Sequence, residues 1–166
     1  MATQAQISPE EYLRMSFDGA DCDYLDGEIV ERNVGELPHS RVQLRLGVYF
    51  DALGRKHPVY PYPELRMKVS RTRYRVADLA VFRGEDPTAN VPSQAPFIVI
   101  EVVSRDDRYT EIVEKLEEYR KWGAVHVWLV DPWLRKLYVY SKTGLNEVPA
   151  FEIPELEARI PSSEIF

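Results

Sequence analysis

Two of the most apolar stretches of this chain each carry one acid near the middle. Asp78 interrupts Val76-Ala77-Asp78-Leu79-Ala80-Val81-Phe82, and Glu101 interrupts Phe97-Ile98-Val99-Ile100-Glu101-Val102-Val103. Both runs are short and bounded by Pro, Gly or charged residues, which predicts buried strands. Ser8-Pro9-Glu10-Glu11 predicts a helix start, with a capping serine, a proline at the first position and acids in the first turn. Tyr24 to Val30 predicts two strands joined at Asp26-Gly27, a strong hairpin signal. Pro38-His39-Ser40 opens a helix with Val42, Leu46, Tyr49 and Leu53 in register, ending near Gly54. Strands are expected around Val59-Tyr60 and Leu65–Val69, followed by a basic turn at Arg71-Thr72-Arg73. After a loop from Gly84 to Pro96 and the Glu101 strand, Glu111 to Trp122 predicts a helix ending at Gly123. A strand from Val125 to Val130, a turn at Asp131-Pro132 and a returning strand from Lys136 to Tyr140 complete the core. The tail from Val148 to Phe166 reads as a short strand or extended arm. Strands mixed with two or three helices predict an α/β architecture with a mixed central sheet flanked by helices.

A carboxylate in a buried strand is costly unless it is paired or binds a cation. If the two strands lie side by side, Asp78 and Glu101 meet, and their like charges require something positive between them. A hard divalent metal is the simplest candidate. Alternation puts Val76, Asp78 and Ala80 on one face of their strand, and Val99, Glu101 and Val103 on one face of theirs. The following helix carries Lys115 one turn after Glu111 and one turn before Tyr119. A helix crossing back over the sheet would deliver Lys115 to the acids. Two acids and a lysine are the parts for metal-assisted phosphodiester hydrolysis.

At 166 residues the chain is long enough for one domain with a full core. Its formal net charge of -6 argues against a protein that coats nucleic acid through general basicity. The single cysteine, Cys22, excludes an intrachain disulfide and a cysteine zinc cluster. The opening segment, Met1 to Gln6, is polar and lacks an apolar signal core, and no apolar run approaches the roughly 20 residues that span a bilayer. These features lead to the expectation of a soluble cytoplasmic protein with no membrane contact.

Asp78, Glu101-Val102-Val103-Ser104 and Lys115 with Tyr119 together resemble the PD-(D/E)XK nuclease superfamily, and within it the Uma2-type restriction endonuclease group. Tyr24 to Val30, His39 at a helix start, Tyr119-Arg120-Lys121-Trp122-Gly123-Ala124 and Trp128-Leu129-Val130-Asp131-Pro132 are similar to that group as well. The resemblance runs from about Ser8 to Phe166, and the order and spacing of the motifs carry it. It implies a restriction-endonuclease-like domain over 1–166, with a core of about 8–145 and an arm over 146–166. It also implies Mg²⁺, or Mn²⁺, held by Asp78, Glu101 and the Val102 carbonyl, with Lys115 as the catalytic cation. Glu28, His39 and Tyr119 would support the site. DNA as substrate, a homodimer and no organic cofactor follow from the same resemblance. Two positions depart from the superfamily pattern. Ala77 stands where proline is usual. Val103 stands where the strand lysine would be, so the cation must come from the helix.

The same residues allow other readings. Lys115 has an exposed ion-pair partner available in Glu111. His57 and His126 read as structural, and Trp122, Trp128 and Trp133 as core or interface. Arg66, Lys68, Arg71, Arg73 and Arg75 form either a solvated strand edge or a track for phosphates. The same fold without catalysis would serve as a nucleic-acid or protein-binding module.

Overall fold

The computed structural model describes residues 6–166, so the polar segment at 1–5 lies outside the described residues. Helix α1 (Pro9–Arg14) begins at Ser8, whose side chain accepts from the Glu11 backbone N–H while Glu11 reaches back to Ser8. This reciprocal cap satisfies two of the helix's unpaired donors. Strands β1 (Asp23–Leu25) and β2 (Glu28–Val30) form the expected hairpin. Its two turn residues, Asp26 and Gly27, both take positive φ, at 51° and 102°. A tight turn of this kind matches the twist of the flanking strands. Helix α2 (Leu37–Gly54) follows.

Strand β3 (Val59–Ser70) is continuous through Pro61 and Pro63, whereas the sequence pattern predicts strands around Val59-Tyr60 and Leu65–Val69. Among the described residues it pairs with β4 (Arg73–Arg83) and with no other strand. At such an edge a proline removes no donor that a second neighbour needs. Strand β5 (Ile98–Val102), helix α3 (Tyr109–Trp122) and strand β6 (His126–Asp131) form a parallel crossover unit. The chain then returns through β7 (Lys136–Ser141) and β8 (Gly144–Val148), both antiparallel to their neighbours. The sheet order is β2-β1-β4-β5-β6-β7-β8, with β3 against the other edge of β4.

The tail, expected as a short strand or extended arm, forms two short strands paired as a hairpin, β9 (Ala150–Ile153) and β10 (Ala158–Pro161), closed by a 3₁₀ turn at Pro154–Leu156 and followed by helix α4 (Ser162–Ile165). Its apolar residues join the core. Phe151 stacks flat on Trp128, with ring centroids 4.1 Å apart. Trp128 is fully buried, so it belongs to the core and not to an interface.

One face of the sheet is covered by α2 and the C-terminal hairpin. There Val42, Leu46 and Phe50 meet Leu79, Val81, Ile98, Ile100 and Trp128. The other face is covered by α3, where Leu116 and Tyr119 meet Ala80, Phe82, Val99, Val127 and Leu129. With both faces covered, β4 is buried from Tyr74 to Phe82. This explains the apolar run from Val76 to Phe82, which only Asp78 interrupts. Among the described residues, no helix is long and apolar enough to cross a membrane.

Candidate active site

The sheet opens at one place. On the edge of β4 away from β3, β1 pairs with Arg73 and Tyr74, and β5 pairs with Leu79 to Val81. Among the described residues, none pairs as a strand with residues 75–78 on that edge. Side chains satisfy the backbone here instead. The Val76 N–H donates to Asp23 Oδ1 at 2.8 Å, and Lys115 Nζ donates to the Val76 carbonyl at 2.9 Å. The Val102 N–H donates to Asp78 Oδ2 at 2.7 Å. A cleft of about 270 Å³ fills the opening, and Asp23, Arg32, His39, Asp78, Glu101 and Lys115 are among the residues that line it.

The register that pairs Leu79 with Ile100 places Asp78 opposite Glu101. Both acids are buried, at 3% and 8% exposure. Lys115 Nζ lies 3.0 Å from Glu101 Oε2, and the Tyr119 hydroxyl donates to Glu101 Oε1 at 2.9 Å. The helical spacing of four puts Lys115 and Tyr119 on one face of α3, directed at the same carboxylate. Lys115 therefore does not pair with Glu111, whose partner is Arg108 at 3.6 Å. Asp78 accepts from Arg32 Nη2 at 2.7 Å, and His39 Nε2 lies 3.3 Å from its other oxygen. His39 sits in the first turn of α2, packed against Gly35. A Cβ on Gly35 would stand 2.5 Å from His39 Nδ1, so only glycine permits this approach. The same Nδ1 is buried without a hydrogen-bond partner.

The two acids titrate in opposite directions. Burial is the largest influence on Glu101 and pushes its carboxyl up, against the pull of Lys115, to about 7. Burial also pushes Asp78 up, but His39, Arg32 and Lys115 together outweigh it and hold Asp78 below its usual value. His39 moves upward: burial opposes its charged form, and the hydrogen bond and charge of Asp78 overcome that. Tyr119 is raised well above its ordinary value by burial and by Glu101.

Glu28 stands apart from this group. It is exposed and does not line the cleft, whereas Val30 on the same strand does. Two residues along a strand are about 7 Å, enough to carry Glu28 past the rim. In its place the structure brings in Asp23, which is 2% exposed. Asp23 Oδ2 accepts from Arg75 at 2.9 Å and lies 3.8 Å from Lys115 Nζ. Asp23 opens a strand whose other residues are apolar, and that was its one sequence signal. Arg32, Gln43 and Glu64 also surround Asp78 and carry no such signal, because their partners are distant in sequence. Within the basic cluster, Arg66 pairs with Asp21, Arg73 with Glu118, and Arg75 with Asp23 and Glu118. Those charges are used inside the molecule. His126 pairs with Glu155 at 3.0 Å, well away from the acids, in keeping with a structural role.

Compared with known families, residues 9–166 match Uma2, described as "Putative restriction endonuclease". The chain belongs to the Uma2 family. No curated protein matches it. Among solved structures it is similar to a putative nuclease belonging to DUF820 from Anabaena variabilis ATCC 29413. That protein is 20% identical, the match covers 96% of this chain and 97% of that one, and the TM-score is 0.83. The likeness shows the fold. In this Uma2 chain Val103 is tied to the sheet by its N–H, which donates to the Val130 carbonyl at 2.8 Å. The cation beside Glu101 comes from α3.

The site's donors are suited to a hard divalent cation. Asp78, Glu101 and the Val102 carbonyl offer oxygen alone. Glu101 is a buried carboxyl that is driven to keep its proton, and a cation in the cleft would relieve that cost. Among the described residues no three His, Cys, Asp or Glu are arranged to hold a metal. An all-protein cage is therefore not built. Mg²⁺ commonly takes one or two carboxylates and completes its shell with water and substrate phosphate. The donors fit it in that form.

Proposed function

We propose that this protein is a metal-dependent DNA endonuclease that hydrolyses phosphodiester bonds. The observation that carries the reading is the buried pair Asp78 and Glu101 at the opening of the sheet, with Lys115 3.0 Å from Glu101. Membership of Uma2 and the nuclease-like fold support it. Asp78, Glu101 and the Val102 carbonyl hold the cation. A bound Mg²⁺ or Mn²⁺ supplies Lewis-acid polarisation of a phosphate oxygen and lowers the pKa of water. Lys115 Nζ stabilises the negative charge that grows on the phosphate as water bonds to phosphorus and the bond to the leaving oxygen breaks. Tyr119 holds Glu101 in place through its hydroxyl. His39 fixes the far oxygen of Asp78 and keeps its carboxylate ionised. We assign the protein to the reducing cytoplasm, where the lone, buried Cys22 stays a thiol. Two copies acting on opposite strands suit a duplex substrate.

A second reading has its own support. Both acids are already met by protein groups, Asp78 by Arg32 and His39, and Glu101 by Lys115 and Tyr119. A binding module that keeps the fold without catalysis would need nothing more. Calorimetric titration of Mn²⁺ into wild type, Asp78→Ala and Glu101→Ala separates the two, followed by cleavage of a duplex. The nuclease reading expects wild type to bind, both variants to lose binding, and Lys115→Ala to bind metal yet cleave about 10²–10³-fold more slowly. A well-folded wild type that binds no Mn²⁺, with or without oligonucleotide, would establish the binding module instead.

A further inference from the structure

Arg32 lies two residues beyond β2, on the segment that leads into α2, and its side chain is 12% exposed. One arm of its guanidinium, Nη2, donates to Asp78 Oδ1 at 2.7 Å, and the other, Nη1, to Glu64 Oε2 at 2.5 Å. Gln43 closes the ring: its Nε2 donates to Glu64 Oε1 and to the Asp78 carbonyl, each at 2.7 Å. Glu64 sits opposite Asp78 in the β3–β4 register and holds φ at +50°. A non-glycine residue in the left-handed region is strained, and such strain persists where the surrounding structure imposes it.

Lys115, beside Glu101 and the Val76 carbonyl, is the cation already assigned to the charge that grows on the phosphate. Arg75 is bound by Asp23 and Glu118 and Arg108 is on the exposed rim with Glu111, which leaves Arg32 for a second contact to the phosphate. In a protein of net charge -6, a phosphodiester needs a cation beside the scissile group. A divalent ion shared with Asp78 repels the guanidinium and weakens its hold on that carboxylate. A guanidinium presents five donors in a planar fork, which matches two phosphate oxygens.

We propose that Arg32 is a substrate-binding residue, held against Asp78 and Glu64 in the free cleft and passed to a phosphate oxygen of the nucleic-acid backbone when substrate and cation load. This rests on the nuclease reading. The test measures Mn²⁺ affinity by calorimetry and duplex-oligonucleotide affinity by anisotropy. Both are done in a Lys115→Ala background that suppresses hydrolysis, with and without Arg32→Ala. The expected result is Mn²⁺ affinity equal to or above the parent's and oligonucleotide affinity reduced at least about tenfold. The slope of log affinity against log salt should also fall by about 0.9, the loss of one phosphate contact. Arg32→Lys keeps the charge without the fork and should lie between the two, which serves if the alanine variant melts early. Unchanged oligonucleotide affinity and salt slope would overturn the proposal and leave the nuclease reading intact. Loss of Mn²⁺ binding would also overturn it, making Arg32 only a support for Asp78. If the parent itself binds no oligonucleotide in the presence of Mn²⁺, the nuclease reading fails and the proposal falls with it.

Discussion

At the scale of single residues, Glu101 and Asp78 leave opposite signatures on stability. The folded Glu101 carboxyl keeps its proton to about pH 7, against an ordinary value of 4.5. The folded state therefore binds the extra proton between those values. Its contribution is complete below 4.5 and is lost as pH rises through 7. In the metal-free protein this loss is on the order of 3 kcal/mol. Glu101→Gln should flatten that part of the curve, which urea melts at a series of pH values would detect. Asp78 is lowered from 3.8, so its contribution is present above that value and vanishes as pH falls further. The two effects occupy separate windows and can be resolved. The embedded acids were legible in the sequence because charge inside an apolar run is conspicuous. Arg32 was not, because an arginine in a polar loop looks like every other surface arginine until its partner, 46 residues away, is known.

At the scale of elements, the site exists because β4 is longer than either neighbour on one edge. The gap between β1 and β5 is bridged by the side chain of Asp23, which takes both the Val76 N–H and Arg75. Asp23→Ala leaves the buried Val76 N–H without its acceptor and the buried Arg75 with Glu118 alone, a loss of about 1–3 kcal/mol. Asp23→Asn retains an acceptor for Val76 and should recover part of it; chemical denaturation of the two variants measures the difference. On the other side of the cleft, Leu116 anchors α3 to the sheet and is fully buried between Lys115 and Tyr119's turn and the strands below. Leu116→Ala should cost about 2–5 kcal/mol. On the proposed nuclease function it should also slow cleavage, because Lys115 depends on the seating of this helix. Helix α3 and its face were legible from the four-residue spacing. The opening in the sheet was not, because strand register is set by pairing partners far apart in the chain.

At the scale of the whole molecule, the C-terminal hairpin closes the core on the α2 side. Phe151, Ile153 and Ile160 are all buried there, and Phe151 covers Trp128. Removing residues 149–166 should expose Trp128 and abolish cooperative unfolding, seen as a red-shifted tryptophan emission and a broad, early melt. Phe151→Ala alone should cost about 3–5 kcal/mol. The sequence indicated a short strand or extended arm in this tail. It did not indicate a hairpin, because prolines at β-edges and in extended arms look alike.

The order of apolar runs, the turn at Asp26-Gly27 and the helical spacing of Lys115 and Tyr119 are local properties, and the chain alone determined them. Family membership and the α/β fold were legible for the same reason: many short local signals agreed in order. Which side chains meet across the cleft was decided only by the tertiary structure. The displacement of Glu28, the arrival of Asp23 and the ring of Arg32, Gln43, Glu64 and Asp78 all depend on strand register and sheet twist. A shift of one residue in that register would turn these groups to the opposite face. No local stretch of sequence contains that information, because it lies in the pairing of segments tens of residues apart.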